Sequence, residues 1–310
     1  MPGPIVILGV FVADTAYRAP RMPRLGETIM GQGFALGPGG KGSNQAVAAA
    51  RAGGPGASVH FLSRIGRDAF GEIALKTWAD AGVTPAVTVD EGGATGAAFI
   101  FLESGTGNNA IIVAPGAAAH ISEADIDARA DLIRSASVFM TQLEQPLPAA
   151  LHALRIAREA GVTTILNPAP AAPLPEGMLA LCDWVTPNES EAEALTGLPV
   201  HDPATAESAA RSLTLMGAGG AVVTLGGQGA MLVRGDLAVH LLATSPGPVV
   251  ETTGAGDAFA GGFAVALSEG MAPVEAVRFG IATAGISVTR PGTAPAMPGR
   301  EEIDALLARS

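Results

Sequence analysis

A doubly wound α/β sheet, mostly parallel and flanked by helices on both faces, is the fold that this sequence predicts, with a small β-sheet lid beside it. Three observations carry the expectation. Short β-branched runs alternate with Ala/Leu/Glu-rich stretches of helical length, and strands alternating with helices build parallel sheets. The strand candidates are nearly continuous in apolar residues, as burial on both faces requires. At 310 residues, 48% of them hydrophobic and 15% charged, the chain can fill a large core and is too apolar to be disordered.

Residues 6–11 read as a buried strand and 44–53 as an Ala-rich helix. A strand over 59–65, a helix over 70–81, a strand over 138–142 and a helix over 149–161 continue the alternation. Next come a strand over 163–167, helices over 189–196 and 204–216, and a strand over 221–225. Residues 229–234 and 238–243 form a hairpin about Gly235-Asp236. The last third is helical, over 257–269, 273–289 and 301–309. Two segments, 27–36 and 97–113, look like strands with no helix between them, the second split by a turn-like run from Glu103 to Asn109. They read as a β-element placed to cover a site, and the same composition also fits ordinary edge strands. With no repeat, low-complexity tract or linker, residues 1–310 read as one domain with lid strands inserted at about 12–38 and 96–114.

Lys and Arg number 18 against 29 Asp and Glu, a formal charge of −11. That balance argues against nucleic acid or a membrane surface as partner, because no basic field gathers phosphates. It does not exclude ATP, whose phosphates are held by local backbone N–H groups. The single cysteine, Cys182, excludes an intrachain disulfide and points to a reducing compartment. The N-terminus lacks a basic n-region, and its apolar run is about half of what a membrane helix needs. A cytoplasmic location is therefore expected.

Glycine-rich loops carry the chemistry. Gly37-Pro38-Gly39-Gly40-Lys41-Gly42 formally contains G-x-G-x-x-G. It lacks the acidic residue about 20 positions on that a dinucleotide ribose needs, and it lacks the Ser or Thr of a P-loop after Lys41. What remains is a turn that brings N–H groups, Lys41 and the Asn44 amide to one point. A helix-entry turn with a solvated lysine explains the residues equally well. Thr252-Thr253-Gly254-Ala255-Gly256-Asp257 opens an unusually apolar helix. Glycines ahead of a helix leave N–H groups facing one spot at the positive end of the dipole, a place for an anion or for charge developing in phosphoryl transfer. A carboxylate there, Asp257, can accept a proton from an attacking hydroxyl; a helix N-terminal carboxylate with only a dipole role is the competing reading. A third run, Thr224-Leu225-Gly226-Gly227-Gln228-Gly229, follows a clear strand, at whose carboxyl end ligands bind in open parallel sheets.

The pair Gly39 to Asn44 and Thr253 to Asp257 resembles the two signatures of the PfkB carbohydrate kinases, the ribokinase-like family. Leu166-Asn-Pro-Ala-Pro170, Thr186-Pro-Asn-Glu-Ser-Glu191, Val223 to Gly229, Val288-Thr-Arg-Pro-Gly292 and Arg300-Glu-Glu-Ile-Asp304 match in order, most like the family's ribokinase branch. The resemblance implies transfer of the γ-phosphoryl group of ATP to a sugar hydroxyl, with ribose the first candidate sugar and another small sugar, a polyol or a nucleoside the alternative. By the same resemblance Asp257 is the base, and Gly254, Ala255 and Gly256 form the anion hole. Asp14, Gly40, Lys41, Asn44 and Glu144 contact the sugar. Asn188 and Glu191 are associated with phosphate and Mg²⁺, and Thr224, Gly226 and Gly229 with the nucleotide. A K⁺ site made mostly of backbone carbonyls falls on Glu251, Thr253, Ser287, Arg290 and Gly292. Ile281 is an apolar contact to adenine, and a homodimer through the lid strands is implied.

The sequence departs from the pattern in places. Val12 replaces an Asn beside the sugar, which deletes a donor and an acceptor and so bears on which sugar is taken. Glu251 is one methylene longer than the usual Asp, and Ala296 replaces a Ser. From other classes, an NAD-dependent oxidoreductase is opposed by the missing ribose carboxylate. A non-catalytic sugar sensor is opposed by Asp257 and its paired glycines.

Overall fold

The computed structural model describes residues 3–106 and 108–309. Of the N-terminal run and the Glu103–Asn109 turn read above, Met1, Pro2 and Gly107 lie outside the described residues, as does Ser310. The chain begins β1 (Ile5–Leu8), β2 (Val12–Ala19), β3 (Gly33–Gly39), α1 (Lys41–Gly53), β4 (Val59–Leu62), β5 (Arg64–Gly66) and α2 (Ala69–Ala81). It continues through β6 (Val83–Pro85), β7 (Thr88–Asp90), β8 (Thr95–Glu103), β9 (Asn109–Gly116), α3 (Glu123–Asp127) and α4 (Ala130–Arg134). Then come β10 (Val138–Thr141), α5 (Leu147–Glu159), β11 (Thr163–Leu166), β12 (Trp184–Val185), α6 (Glu189–Thr196), α7 (Pro203–Leu215) and β13 (Ala221–Thr224). It closes with β14 (Ala230–Arg234), β15 (Leu237–Leu241), α8 (Ala255–Ser268), α9 (Pro273–Ser287) and α10 (Arg300–Leu307).

The main sheet has nine strands in the order β15-β14-β13-β12-β11-β10-β1-β4-β6, parallel except for the β14–β15 hairpin edge. Side chains alternate between its faces, and both faces are covered. Ile5 and Ile7 of β1 enter one core, with α1, α8 and α9, whereas Val6 and Leu8 enter the other, with α5 and α7. After β1 the chain winds outward through β4 on one side and through β10 on the other. Such a reversal opens a crevice at the carboxyl ends of the strands. A separate four-stranded sheet, β3-β2-β8-β9, stands beside that crevice.

The alternation of strands and helices is as expected, with local corrections. The expected strand over 27–36 is β3, and it starts only at Gly33. Residues before it make a turn instead: Arg21 and the Arg24 N–H both bind the Glu27 carboxylate. The first lid strand falls within the 12–38 span read above: it is β2, which takes its hydrogen bonds from β3 and β8. The single strand over 59–65 divides into β4 and β5, the latter pairing with β7 in a two-stranded sheet. α1 begins at Lys41, three residues earlier than its Ala-rich run suggests, because Gly40 takes φ 89° and turns the chain straight into it.

Candidate active site

Helix α8 is buried on every side, and it sets the site. Two glycines let it approach its neighbours. A Cβ on Gly261 would lie 2.6 Å from the Ala48 Cβ of α1, and one on Gly262 would lie 2.4 Å from the Thr283 hydroxyl of α9. Its start is equally constrained. Gly254 adopts φ 80°, and Ala255 N–H reaches back to the Thr252 carbonyl at 3.1 Å. Gly256 and Asp257 then supply N–H groups of the unpaired first turn. A Cβ on Gly256 would meet nothing within 4 Å, so open space lies beside it.

Asp257 is buried and held by α1. Asn44 Nδ2 donates to its Oδ2 at 3.2 Å and Gln45 Nε2 donates to its Oδ1 at 3.0 Å. Gln45 Nε2 also donates to Asn167 Oδ1 at 3.0 Å, and Gln142 Nε2 donates to Gln45 Oε1 at 2.5 Å. Asn167 in turn donates to the Thr186 carbonyl at 2.8 Å. Burial pushes the Asp257 carboxyl up, while the Lys41 ammonium and the Asn44 and Gln45 amides pull it down. The amide chain therefore supports the charged form of a carboxylate that burial disfavours. Gln45, Gln142 and Asn167 were not singled out from the sequence. The available signals were the place of Asn167 in the Leu166–Pro170 match and a glutamine inside the Ala-rich run of α1.

The predicted sugar-contacting residues come together at this point. Lys41 N–H donates to Glu144 Oε2 at 2.8 Å, which ties the start of α1 to the loop after β10. Glu144 is pushed up to about 7 by burial, against the Lys41 N–H and ammonium, with Asp257 and Asp14 adding repulsion. Burial pushes Asp14 up to about 6. A Cβ on Gly39 would come within 2.3 Å of Asp14 Oδ2, so a side chain there would displace that carboxylate. Gly40 likewise needs its positive φ, and a Cβ there would strike the Val10 carbonyl at 2.4 Å. Among the described residues, Asn44 Oδ1 is a buried acceptor with no hydrogen-bond partner. Val12, 5% exposed, lies two residues before Asp14 on the same face of β2 and pairs with Gly39 and Gly96.

A cavity of about 140 Å³ adjoins Asp257 and is lined by Lys41, Asn167, Asn188, Glu191, Thr224, Gly254 and Gly256 among others. Asn188 and Glu191 are joined as a capping box on α6: Asn188 Oδ1 accepts from Glu191 N–H and Glu191 Oε2 accepts from Asn188 N–H, each at 2.9 Å. The motif thus serves the helix as well as the cavity. Burial pushes Glu191 up, with Lys41 opposing. Gly226 and Gly229 lie beyond this lining, in the turn after β13, both with positive φ. A larger depression, about 690 Å³, lies against α9 and includes Leu241, Thr244 and Ile281. It holds none of the residues around Asp257.

The five K⁺-site candidates gather where the segment before α8 meets the segment after α9. Gly292 N–H donates to Glu251 Oε2 at 2.8 Å, and Val250 and Glu251 N–H groups reach the Val288 carbonyl at 2.7 and 3.2 Å. Arg290 N–H bonds the Ser287 carbonyl at 3.2 Å, Thr253 follows Glu251 by two residues, and the Arg290 guanidinium pairs with Glu302. Cys182 is buried and pushed up to about 12 by that burial, far from reactive.

The model of the pfkB family carbohydrate kinases matches residues 5–300. The chain belongs to the PfkB family of carbohydrate kinases. This kinase is 39% identical to a ribokinase of Haemophilus influenzae over 299 residues, covering 96% of each chain. It is 34% identical to a deoxyribokinase of Salmonella typhi, covering 98% of each. The structure of Arabidopsis thaliana ribokinase complexed with ribose and ATP superposes with a TM-score of 0.93 at 32% identity, covering 100% of both chains. The doubly wound sheet and the smaller sheet beside it are therefore the ribokinase-like fold.

Proposed function

We propose that this kinase transfers the γ-phosphoryl group of ATP to a hydroxyl of a pentose, D-ribose in the first place, giving the sugar phosphate and ADP. The observation that carries the reading is Asp257, ionisable and fixed by amides on both oxygens, one residue after Gly256 at an open helix N-terminus. Asp257 takes the hydroxyl proton as the sugar oxygen bonds to the γ-phosphorus, and the bond to the ADP oxygen breaks. Charge on the transferring group is met by the first-turn N–H groups and by Lys41. Asp14, Gly40, Lys41, Asn44 and Glu144 hold the sugar, and the carboxylates accept hydrogen bonds from its hydroxyls. The lid strands β2, β3, β8 and β9 cover it. Thr224, Gly226 and Gly229 hold the nucleotide, and Ile281 offers the base an apolar wall.

Mg²⁺ fits this donor set: it keeps waters and substrate phosphates and needs one or two carboxylates, and Glu191 faces the cavity with one oxygen left free by its cap. The ion would neutralise phosphate charge. For K⁺, backbone carbonyls of the 251–253 and 287–292 segments would be the ligands; those of Thr252, Ser287 and Val288 also accept N–H groups, and the Glu251 carboxylate is anchored to the Gly292 N–H. A homodimer is supported by the outer lid face, where Tyr17, Phe34, Leu36 and Ile112 stand exposed. For location, the relevant fact is that no helix among the described residues is long and apolar enough to cross a membrane; we infer the cytoplasm.

A second reading has one observation behind it. Val12 places an apolar wall beside Asp14, which suits a deoxypentose. A coupled ADP-release assay over pentoses, deoxypentoses, hexoses and nucleosides tests both, and repeating it in K⁺ and in tetramethylammonium tests the cation. Ribose or deoxyribose is expected to turn over best, and faster in K⁺. A hexose or nucleoside preference overturns the pentose reading, and equal rates in the two salts remove the cation site.

A further inference from the structure

The segment from Arg290 to Met297 touches three separate parts of the site, and Thr293 is where they meet. Its hydroxyl donates to the Pro38 carbonyl at 3.1 Å, a bond between residues 255 positions apart. Pro38 is the penultimate residue of β3, so this carbonyl lies at the root of the small sheet, just before the Gly39-Gly40 turn. On its other side Thr293 lies against Gly254, the left-handed residue that starts α8: a Cβ there would be 3.3 Å from both Thr293 Cβ and Cγ2. The segment itself is anchored, because Arg51 Nη1 at the end of α1 donates to the carbonyls of Ala294, Pro295 and Met297 at 3.1, 3.1 and 3.0 Å.

We propose that Thr293 is a positioning residue that registers the root of the lid to the anion-binding start of α8. The inference rests on the kinase reading given above. The physical case is one of rigidity. The Gly39-Gly40 turn has no side chains to hold it, and Gly40 sits at a φ that few other residues adopt. The β2–β3 ladder holds Asp14 beside Gly39, and Lys41 N–H ties the turn to Glu144, but neither reaches Gly254. A post fixed by three carbonyl bonds to α1, packed on Gly254 and bonded to Pro38 makes that connection. Thr293 reaches no reacting atom. It acts through the two loops it joins, so that a sugar held under the lid arrives in line with the phosphoryl group.

Thr293→Val keeps the shape and methyl contact on Gly254 and removes only the hydroxyl donor. Thr293→Ser keeps the donor. One neutral hydrogen bond predicts a fall in kcat/KM for the sugar of about 2- to 12-fold in Thr293→Val. The loss should fall chiefly on sugar KM, with ATP KM unchanged and Thr293→Ser within about twofold of wild type. In the absence of any substrate, amide hydrogen exchange at Gly39, Gly40 and Lys41 should be faster in Thr293→Val than in wild type or Thr293→Ser. Equal sugar KM and equal exchange in all three proteins overturn the proposal. So does a Val variant that melts early or loses both substrates' KM alike, because that assigns the hydroxyl a merely structural role. If wild type releases no ADP with any sugar, the kinase reading fails on its own, and the exchange comparison still decides the contact.

Discussion

Asp257 and Val12 are the residues on which chemistry and substrate choice turn. Both oxygens of Asp257 accept amide donors from consecutive residues of α1, Asn44 and Gln45. Asn can keep one of those contacts as an acceptor–donor pair but cannot take a proton at neutral pH. Asp257→Asn should therefore keep the fold and nucleotide binding and lower kcat by about 10²-fold or more, the low end for loss of a general base. Single-turnover kinetics and nucleotide titration on the purified variant check it, and an unchanged kcat removes Asp257 from the role of base. Val12 is a matter of polarity, since Val and Asn are close in volume. Val12→Asn adds a donor and an acceptor on the Asp14 face, so kcat/KM for ribose should rise roughly 2- to 12-fold if a ribose hydroxyl is left unpaired there. A deoxypentose should gain less or lose, because the new amide would then be buried without partners. Steady-state kinetics with both sugars decide it: equal ratios in the two proteins mean that Val12 does not set the choice.

At the scale of elements, α8 is held by close approach to α1 and α9, and its glycines are the reason. Gly-to-Ala inside a helix ordinarily stabilises by about 1 kcal/mol. At Gly261 the added methyl would lie 2.6 Å from the Ala48 Cβ and 2.8 Å from the Ala49 backbone nitrogen. Backbone cannot step aside as a flexible side chain can, and overpacking costs about 1–3 kcal/mol. The second effect wins. Gly261→Ala should lower stability by up to about 2 kcal/mol in urea unfolding. It should also lower kcat, since Gly261 is one turn below Asp257 on α8. A more stable, fully active variant would mean that α1 and α8 separate freely. Gly256, with open space beside it, marks the contrast: there a methyl meets no protein atom and would instead intrude where the anion binds.

Across the whole molecule, two opposing sets of carboxylates set the pH dependence of the unliganded protein. Burial raises Asp14 to about 6 and Glu144 to about 7. For these the folded state binds protons more tightly than the unfolded chain, so stability falls as pH rises from the unfolded value near 4 through about 7. Asp68 and Asp125 are shifted the other way: burial works to raise them, but N–H donors from Gly71 and Thr95, and from Ser122, outweigh it. Their contribution is present above the unfolded value and is lost as pH falls below it. Thermal unfolding without ligand should accordingly peak near pH 4 and decline toward pH 8. The double variant Asp14→Asn, Glu144→Gln should flatten the alkaline decline, and a wild-type Tm that rises from pH 5 to 8 contradicts this account. Sugar binding should reverse the slope, because the carboxylates that destabilise the empty site are the ones that accept its hydroxyls.

How much of this was legible in the residues follows from how local each signal is. Periodicity and glycine placement are properties of neighbouring residues. They marked the buried strands, the hairpin at Gly235-Asp236, α8 with Asp257 in its first turn, and the Gly39-Gly40 entry into α1. β2 lies inside the 12–38 span read as lid strands, but its bounds and partners were not legible, because Asp14 and Arg18 interrupt its apolar pattern and its extension is fixed by hydrogen bonds from β3 and β8. Nor was the Gln142–Gln45–Asn167 amide chain, whose members come from the ends of β10, α1 and β11: Asn167 lies in the Leu166–Pro170 match, but nothing local ties it to Gln45 or Gln142. The Asn188–Glu191 spacing could be read as a site motif, but only coordinates revealed that each also caps the other's backbone. Thr293 shows the limit most clearly. A threonine after Gly292 has no local signature, and its contacts with Pro38 and Gly254 exist only because the parallel sheet brings the ends of α1, β3 and α9 to one corner of the crevice.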